Sequence, residues 1–324
     1  MKKLLILLII PFLSFGQDLT YVPDNEFEQA LINLGYDDIL DDAVLTENII
    51  EVEWLNLDYY GGIVNGKITN LTGIEDFVSL EYLNVKSHDL ISLNISQNIN
   101  LTTLIVDGNM EMTALDVSQN INLEELSCWL VPLTMLDLSQ NYQLQVLNIS
   151  ETELTSIDLS QNLQLLELNT ELSYQLSTLD VSQNTNLTYL NCRENNLSEL
   201  NVCGNTNLIY LNCNWNPLES LDLSNQTYWQ ELYVAVTTLD CINVYNWAWL
   251  SDQIMVPGQN TYNIWPIYYD CPPGICSTSS IEETATNKEP MKTTDILGRE
   301  TSNNKDLQLH IYDDGSVEKR YIIE

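Results

Sequence analysis

The side chains of this chain that could do chemistry are two histidines, seven cysteines and an excess of carboxylates. His88 and His310 lie far apart, and no Ser/His/Asp or Cys/His set can be assembled around either. The cysteines are Cys128, Cys192, Cys203, Cys213, Cys241, Cys271 and Cys276. None forms a Cys-x-x-Cys pair, and none stands beside a histidine at metal-binding spacing. There is no glycine-rich phosphate loop and no dinucleotide fingerprint. In so acidic a chain, carboxylate pairs at glycosidase-like separation arise by chance, and nothing singles one out. The residue types open no catalytic argument, and they imply no cofactor and no metal centre. What remains is binding, for which Tyr, Trp and Arg are the best equipped side chains.

Charge narrows the partners. The formal net charge is -35, and between Gln17 and Asn287 the only basic residues are Lys67, Lys86 and Arg193. Such a surface repels nucleic acid and anionic membranes and suits an exported protein that must stay in solution. It favours cations or basic partners. Two acidic features invite a cation reading: the run Asp37-Asp38-Ile39-Leu40-Asp41-Asp42, and the row Asp116, Asp137, Asp158, Asp180 and Asp222. The run lacks the spacing of a calcium loop, so a solvated turn is the plainer reading. The row reads as solvated, or as satisfying backbone at turns together with the serines that follow.

The elements that position these side chains repeat. The clearest copy runs from Leu187 to Asn205 as LxxLxLxxNxLxxLxVxxN. Anchors at Leu83, Leu93, Leu104, Leu115, Leu126, Leu136, Leu147, Ile157, Leu168, Leu179, Leu190, Leu200, Leu211, Leu221 and Leu232 recur in steps of ten or eleven, so one coil takes 21 or 22 residues. The pattern resembles that of leucine-rich repeat proteins, and Ile68 to Leu80 resembles the internalin-like variety. That resemblance implies a β-rich right-handed solenoid of about seven to eight coils with short parallel strands and a non-catalytic binding job. A three-residue strand such as Tyr189-Leu190-Asn191 then points Leu190 inward and Tyr189 and Asn191 outward. The structural Asn ladder Asn98, Asn120, Asn141, Asn162, Asn184 and Asn205 is expected to both donate and accept between coils. In the other half of each coil Asn109, Asn195 and Asn216 hold the equivalent place, while His88, Val131, Thr152 and Ser173 depart from it, predicting less regular turns there. On the concave face the candidate ligand-binding residues are Tyr189, Asn191, Arg193, Tyr210, Asn212, Trp215 and Tyr233. Tyr189, Tyr210 and Tyr233 are expected in one column, with Arg193 isolated beside them. Tyr and Asn also tolerate exposed strands, and a repeat copies its residues whether used or not. The ligand is a protein partner, for adhesion or assembly. A polysaccharide is the alternative, and a spacer role without a ligand the third.

Around the repeats the chain divides. Residues 1–16 read as a signal peptide: Lys2 and Lys3, an apolar core from Leu4 to Leu13, and a small-residue cleavage site. The apolar run is too short for a comfortable span, and no other segment could cross a membrane. Residues 17–78 form an N-terminal cap, with Asp24 capping a helix that buries Phe27, Ala30, Leu31 and Leu34 and ends at Gly35. The repeats occupy 79–240, a C-terminal cap 241–271 and a linker 272–288. A bridge between Cys241 and Cys271 is expected to tie down that cap, with Cys276 near enough to compete; Cys128, Cys192 and Cys213 fall at inward strand positions and read as buried thiols. Residues 289–324 carry a hairpin pattern on both sides of Asp313-Asp314-Gly315. With Asp295-Ile-Leu297-Gly298-Arg299-Glu300 and Lys319-Arg320, they resemble the C-terminal sorting domain of the type IX secretion system of Bacteroidota. The resemblance implies passage through the periplasm, contact with that secretion machinery and a final place on the cell surface or outside the cell.

Overall fold

A computed structural model describes residues 18–234 and four further strand segments, 241–244, 292–294, 308–311 and 317–320. The signal peptide, most of the C-terminal cap and the linker lie outside the described residues. The chain forms two units, divided after Cys276. In the first, β1 (Leu19–Tyr21), α1 (Asn25–Leu34), β2 (Ala43–Leu45) and α2 (Thr46–Ile49) make the cap. The coils follow through β3 (Trp54–Asn56), β4 (Tyr82–Asn84), β5 (Thr103–Ile105), β6 (Glu125–Ser127), β7 (Val146–Asn148), β8 (Glu167–Asn169), β9 (Tyr189–Asn191), β10 (Tyr210–Asn212), β11 (Ser220–Leu223), β12 (Glu231–Tyr233) and β13 (Cys241–Val244). Strands β3 to β10 and β12 form one nine-stranded parallel sheet in strict coil order. β11 pairs with β13 in a second, two-stranded parallel sheet. The second unit holds β14 (Lys292–Thr294), β15 (Gln308–Ile311) and β16 (Val317–Arg320), an antiparallel sheet of order β14-β15-β16.

Each coil is too small to bury its own leucines, so stacking supplies the core. The middle residue of every strand of the large sheet, from Leu55 to Leu232, is buried. So are Cys128, Cys192 and Cys213, each at the inward position just after its strand and each a free thiol. Burial raises the pKa of all three, that of Cys213 to about 12, which keeps them protonated and unreactive. Cys203 is disulfide-bonded. The expected Cys241–Cys271 bridge involves side chains outside the described residues.

The Asn ladder is one-sided. Asn98, Asn120, Asn141, Asn162, Asn184 and Asn205 are fully buried, and each Nδ2 donates to two main-chain carbonyls of the coil before it. Gln226 extends the series to the next coil, onto the carbonyls of Val202 and Asn205. The amide oxygens of all seven have no donor. The expectation that these amides also accept is therefore corrected: two carbonyls fix the nitrogen in place, and no N–H of the neighbouring coil faces the oxygen.

The other turn is more regular than its sequence. Ser87, Gly108, Leu130, Glu151, Leu172, Glu194 and Trp215 sit three residues past the last residue of their strands, one per coil, and all have positive φ. Only one is glycine. Left-handed backbone disfavours the other side chains, but the N–H of each residue from Ser87 to Glu194 bonds a carbonyl of the next coil, at 2.7 to 3.0 Å. This shared bond holds the conformation whether Asn follows or not. His88, expected to depart from the ladder, does its work: Nδ1 accepts from Ile68 N–H at 3.1 Å and Nε2 donates to the Leu57 carbonyl at 2.6 Å. Thr152 and Ser173 substitute hydroxyls, both bonded to the Ile149 carbonyl.

At the open end of the core, Asp24 accepts from Glu26 and Phe27 to cap α1, and from Thr69 and Asn70 to dock the helix on the first coil. Burial would raise its pKa, but the bonds from Thr69, Phe27 and Asn70 outweigh that and hold it below the usual carboxylate value. Gly35 closes the helix at φ 83°. Gly73 is required where β1 crosses the first coil: it has φ 102°, and a Cβ there would lie 2.8 Å from the Tyr21 carbonyl. Among the described residues no helix is long and apolar enough to cross a membrane.

Candidate functional site

The large sheet presents two outward columns and a rim. The first column runs Trp54, Tyr82, Thr103, Glu125, Val146, Glu167, Tyr189, Tyr210, Glu231, in register from strand to strand. Tyr189 and Tyr210 stack at 4.2 Å with 14° between their planes, close to the strand spacing that forces them together. Burial and the neighbouring Tyr210 raise the pKa of the Tyr189 hydroxyl, so this ring stays neutral at physiological pH. Tyr233 is not in this column: it pairs with Asn212, one place along, because Tyr210 pairs with Glu231. Its ring meets Tyr210 at 5.8 Å and 53°, and its hydroxyl donates to Glu231 Oε2.

The second column corrects a further expectation. Asn191 and Asn212 point outward yet are only 4% and 9% exposed. Rim residues engage them, Glu171 and Arg193 at Asn191 and the Asn214 N–H at Asn212. Asn191 Nδ2 donates to Glu171 Oε2, and its Oδ1 accepts from the Arg193 N–H. These amides position rim residues and are not themselves open to a ligand.

The rim follows the strands and is where charge collects. Arg193 is not isolated: it bridges Glu171, at 2.8 Å, and Glu194. Tyr174, which the sequence reading did not single out, sits beside it with its hydroxyl 3.4 Å from Glu194 Oε2. Tyr174, Arg193, Glu194, Asn195 and Trp215 line a cleft of about 410 Å³. Trp215 is 58% exposed at its edge, held on a left-handed turn whose next residue, Asn216, donates to the Cys192 and Cys213 carbonyls. Further along the rim, Lys86 lies 5.3 Å over the Trp129 ring and 3.8 Å from Asp107. Trp129 in turn donates to Glu151.

A second aromatic pair was also missed. Trp54 and Tyr82 stack at 3.4 Å and 2° at the N-terminal end of the first column. Its signal was present, because Trp54-Leu55-Asn56 repeats the phrase Tyr82-Leu83-Asn84. Tyr174 carried no such signal, since its neighbours come from the next coil.

The acidic row has a local explanation. Oδ1 of Asp116, Asp137, Asp158, Asp180 and Asp222 accepts the N–H of the serine two residues on, at 2.9 Å each. Those backbone bonds lower the pKa of Asp116, Asp137 and Asp158. Asp222, expected outward like the rest, is buried in β11. Among the described residues no group of three or more His, Cys, Asp or Glu could hold a metal ion.

Three-residue parallel strands at 21- or 22-residue steps, a buried leucine in each and amide ladders between them define a leucine-rich repeat solenoid. No protein-family model matches the chain, and no curated protein matches it. Among solved structures it is similar to the functional domain of InlJ from Listeria monocytogenes, which includes a cysteine ladder, at 30% identity and a TM-score of 0.53 over 70% of this chain and 57% of that one. The internalin InlF of the same species is 20% identical, with a TM-score of 0.43 over 69% of this chain and 82% of its own. Internalin C2 of that species is 19% identical, with a TM-score of 0.49 over 61% of this chain and 87% of its own. The chain thus spans little more than half the length of the InlJ domain.

Proposed function

We propose that this is a non-catalytic binding protein that works outside the cell and engages a protein partner through the C-terminal half of its concave sheet and the adjoining rim. The observation that carries the reading is the Tyr189–Tyr210 stack beside the exposed Trp215, an aromatic cluster the core does not need. A protein fits it better than a sugar. Tyr189 and Tyr210 cover each other's inner faces, and the Tyr233 ring lies tilted against Tyr210, so little of the Tyr210 ring face is left for a sugar to stack on. The charge agrees, because a basic protein gains from a net charge of -35 and a neutral polysaccharide does not. Similarity to the InlJ functional domain supports a binding scaffold of this kind. Residues 1–16 and 289–324 are proposed to carry export, the first into the periplasm and the second onward through type IX machinery. The sheet β14-β15-β16 is consistent with a compact tail module.

The test is capture by the immobilised full chain from extracellular fluid, compared with the Tyr189→Ser/Tyr210→Ser variant at low and moderate salt, beside a glycan array. A protein held by the native surface, lost in the variant and weakened by salt, is the expected result. Salt-independent glycan binding with no protein captured would overturn it.

A further inference from the structure

We propose that the rim cleft between Tyr174 and Trp215 receives the cationic tip of a lysine or arginine side chain of that partner. The inference rests on the protein-binding reading above and gives it a chemical specificity. Tyr174 and Trp215 are 62% and 58% exposed, and both line the cleft, so aromatic surface is open on two sides of it. Unlike Tyr189 and Tyr210, neither ring is stacked in the sheet. A cation over such a ring is attracted by its quadrupole, most strongly by Trp.

The charge between the rings decides what enters. Arg193 is the cation at the cleft, and its guanidinium is already held by Glu171 and Glu194. Arg193 and Glu194 line the cleft and balance each other; Glu171, the second carboxylate on the guanidinium, leaves an excess of one negative charge next to it. The field of Glu194 and Glu151 reaches the Tyr174 hydroxyl, where it adds to desolvation in raising the pKa. The other two basic residues of the repeats and cap are engaged elsewhere, Lys67 with Asp89 and Lys86 with Asp107 and Trp129. An anion is repelled here. A neutral sugar meets the rings but gains nothing from the carboxylates. A cation gains from both. The opening, about 410 Å³, admits a side chain rather than a folded element. Glu194 is set for the role by its backbone: its left-handed turn is fixed by the bond from its N–H to the Asn214 carbonyl, at 2.8 Å.

The test uses the full chain labelled with nitrogen-15 and two neutral-capped probes of nearly equal shape, Nα-acetyl-arginine methylamide and Nα-acetyl-citrulline methylamide. The Trp215 indole N–H signal is assigned by Trp215→Phe. The arginine probe is expected to shift it saturably, with affinity falling as salt is added and falling about threefold or more in Glu194→Gln. The citrulline probe is expected to leave it unmoved. Equal shifts from both probes, or a shift by cellobiose alone, would overturn the proposal. If Glu194→Gln disturbs the other indole signals, the salt titration of the native chain decides, and salt-independent binding sinks the idea. Failure here leaves the protein-binding reading standing, since that is tested at Tyr189 and Tyr210.

Discussion

The side-chain amide of Asn184 donates to the main-chain carbonyl of Asn162 at 2.9 Å, while the carbonyl of Asn184 itself receives Asn205 at 2.8 Å. Each rung of the ladder is thus both a donor to one coil and a backbone acceptor for the next. Asn184→Ala removes one of two donors from each of the Leu159 and Asn162 carbonyls, which keep the N–H groups of Asn162 and Leu165, at a cost of about 1 kcal/mol, reduced somewhat because an orphaned amide oxygen goes too. Asn184→Asp should cost more than Asn184→Ala, since it aims a carboxylate at two carbonyl oxygens. Urea unfolding of the three proteins checks the order, and an aspartate milder than the alanine would mean the amide is placed the wrong way round.

His88 predicts a pH dependence in a window of its own. Burial lowers its pKa, so the folded protein holds it neutral while the unfolded chain takes up a proton. The stability from this site is complete above about pH 6.5 and falls as pH drops below that value, until the folded-state pKa is reached. The lowered Asp24, Asp116, Asp137 and Asp158 act separately: they stabilise above about pH 3.9 and lose that effect only below it. Melting temperatures of native protein and His88→Gln between pH 7.5 and 5 should converge as pH falls. Parallel curves would show that His88 is not held neutral.

Much of this was legible before any coordinates. The step of ten or eleven set the coil, the strand phrase set the register, and Asp24 and Gly35 marked the ends of α1. What escaped was what depends on a neighbouring coil. Asn191 reads as exposed because its strand position faces outward, but Glu171 and Arg193 reach across and cover it. His88 reads as a break in the ladder because its letter differs, while its two ring nitrogens supply the acceptor and donor that Asn109 supplies one coil on. The left-handed turns at Leu130, Glu151 and Leu172 leave no glycine to announce them, since stacking rather than local preference holds them.

Three of the cysteines are set apart by burial. Cys128, Cys192 and Cys213 should resist a thiol reagent in the folded protein and react on unfolding. Peptide mapping without reductant should find Cys203 bridged to one of Cys241, Cys271 and Cys276. The bridge proposed between Cys241 and Cys271 holds only if Cys276 is that partner. A mapped Cys203–Cys241 or Cys203–Cys271 link would exclude it.

Deleting residues 289–324 should leave the solenoid folded and its melting temperature unchanged within about 2 °C, because these residues fall inside a unit of their own. In a host with type IX machinery the shortened protein should accumulate in the periplasm. Its appearance in the medium would remove the export role from the tail.

Site-resolved cross-linking tests whether the C-terminal half of the concave face is the binding surface. A photoreactive phenylalanine analogue is placed at Tyr210 in one full-length protein and at Asp137, an exposed residue of the acidic row, in another. Both are irradiated in the fluid from which the native chain captures its partner. A covalent adduct with the partner is expected from position 210 and none from position 137. An adduct from position 137 with none from 210 would place binding on the acidic row and contradict that expectation.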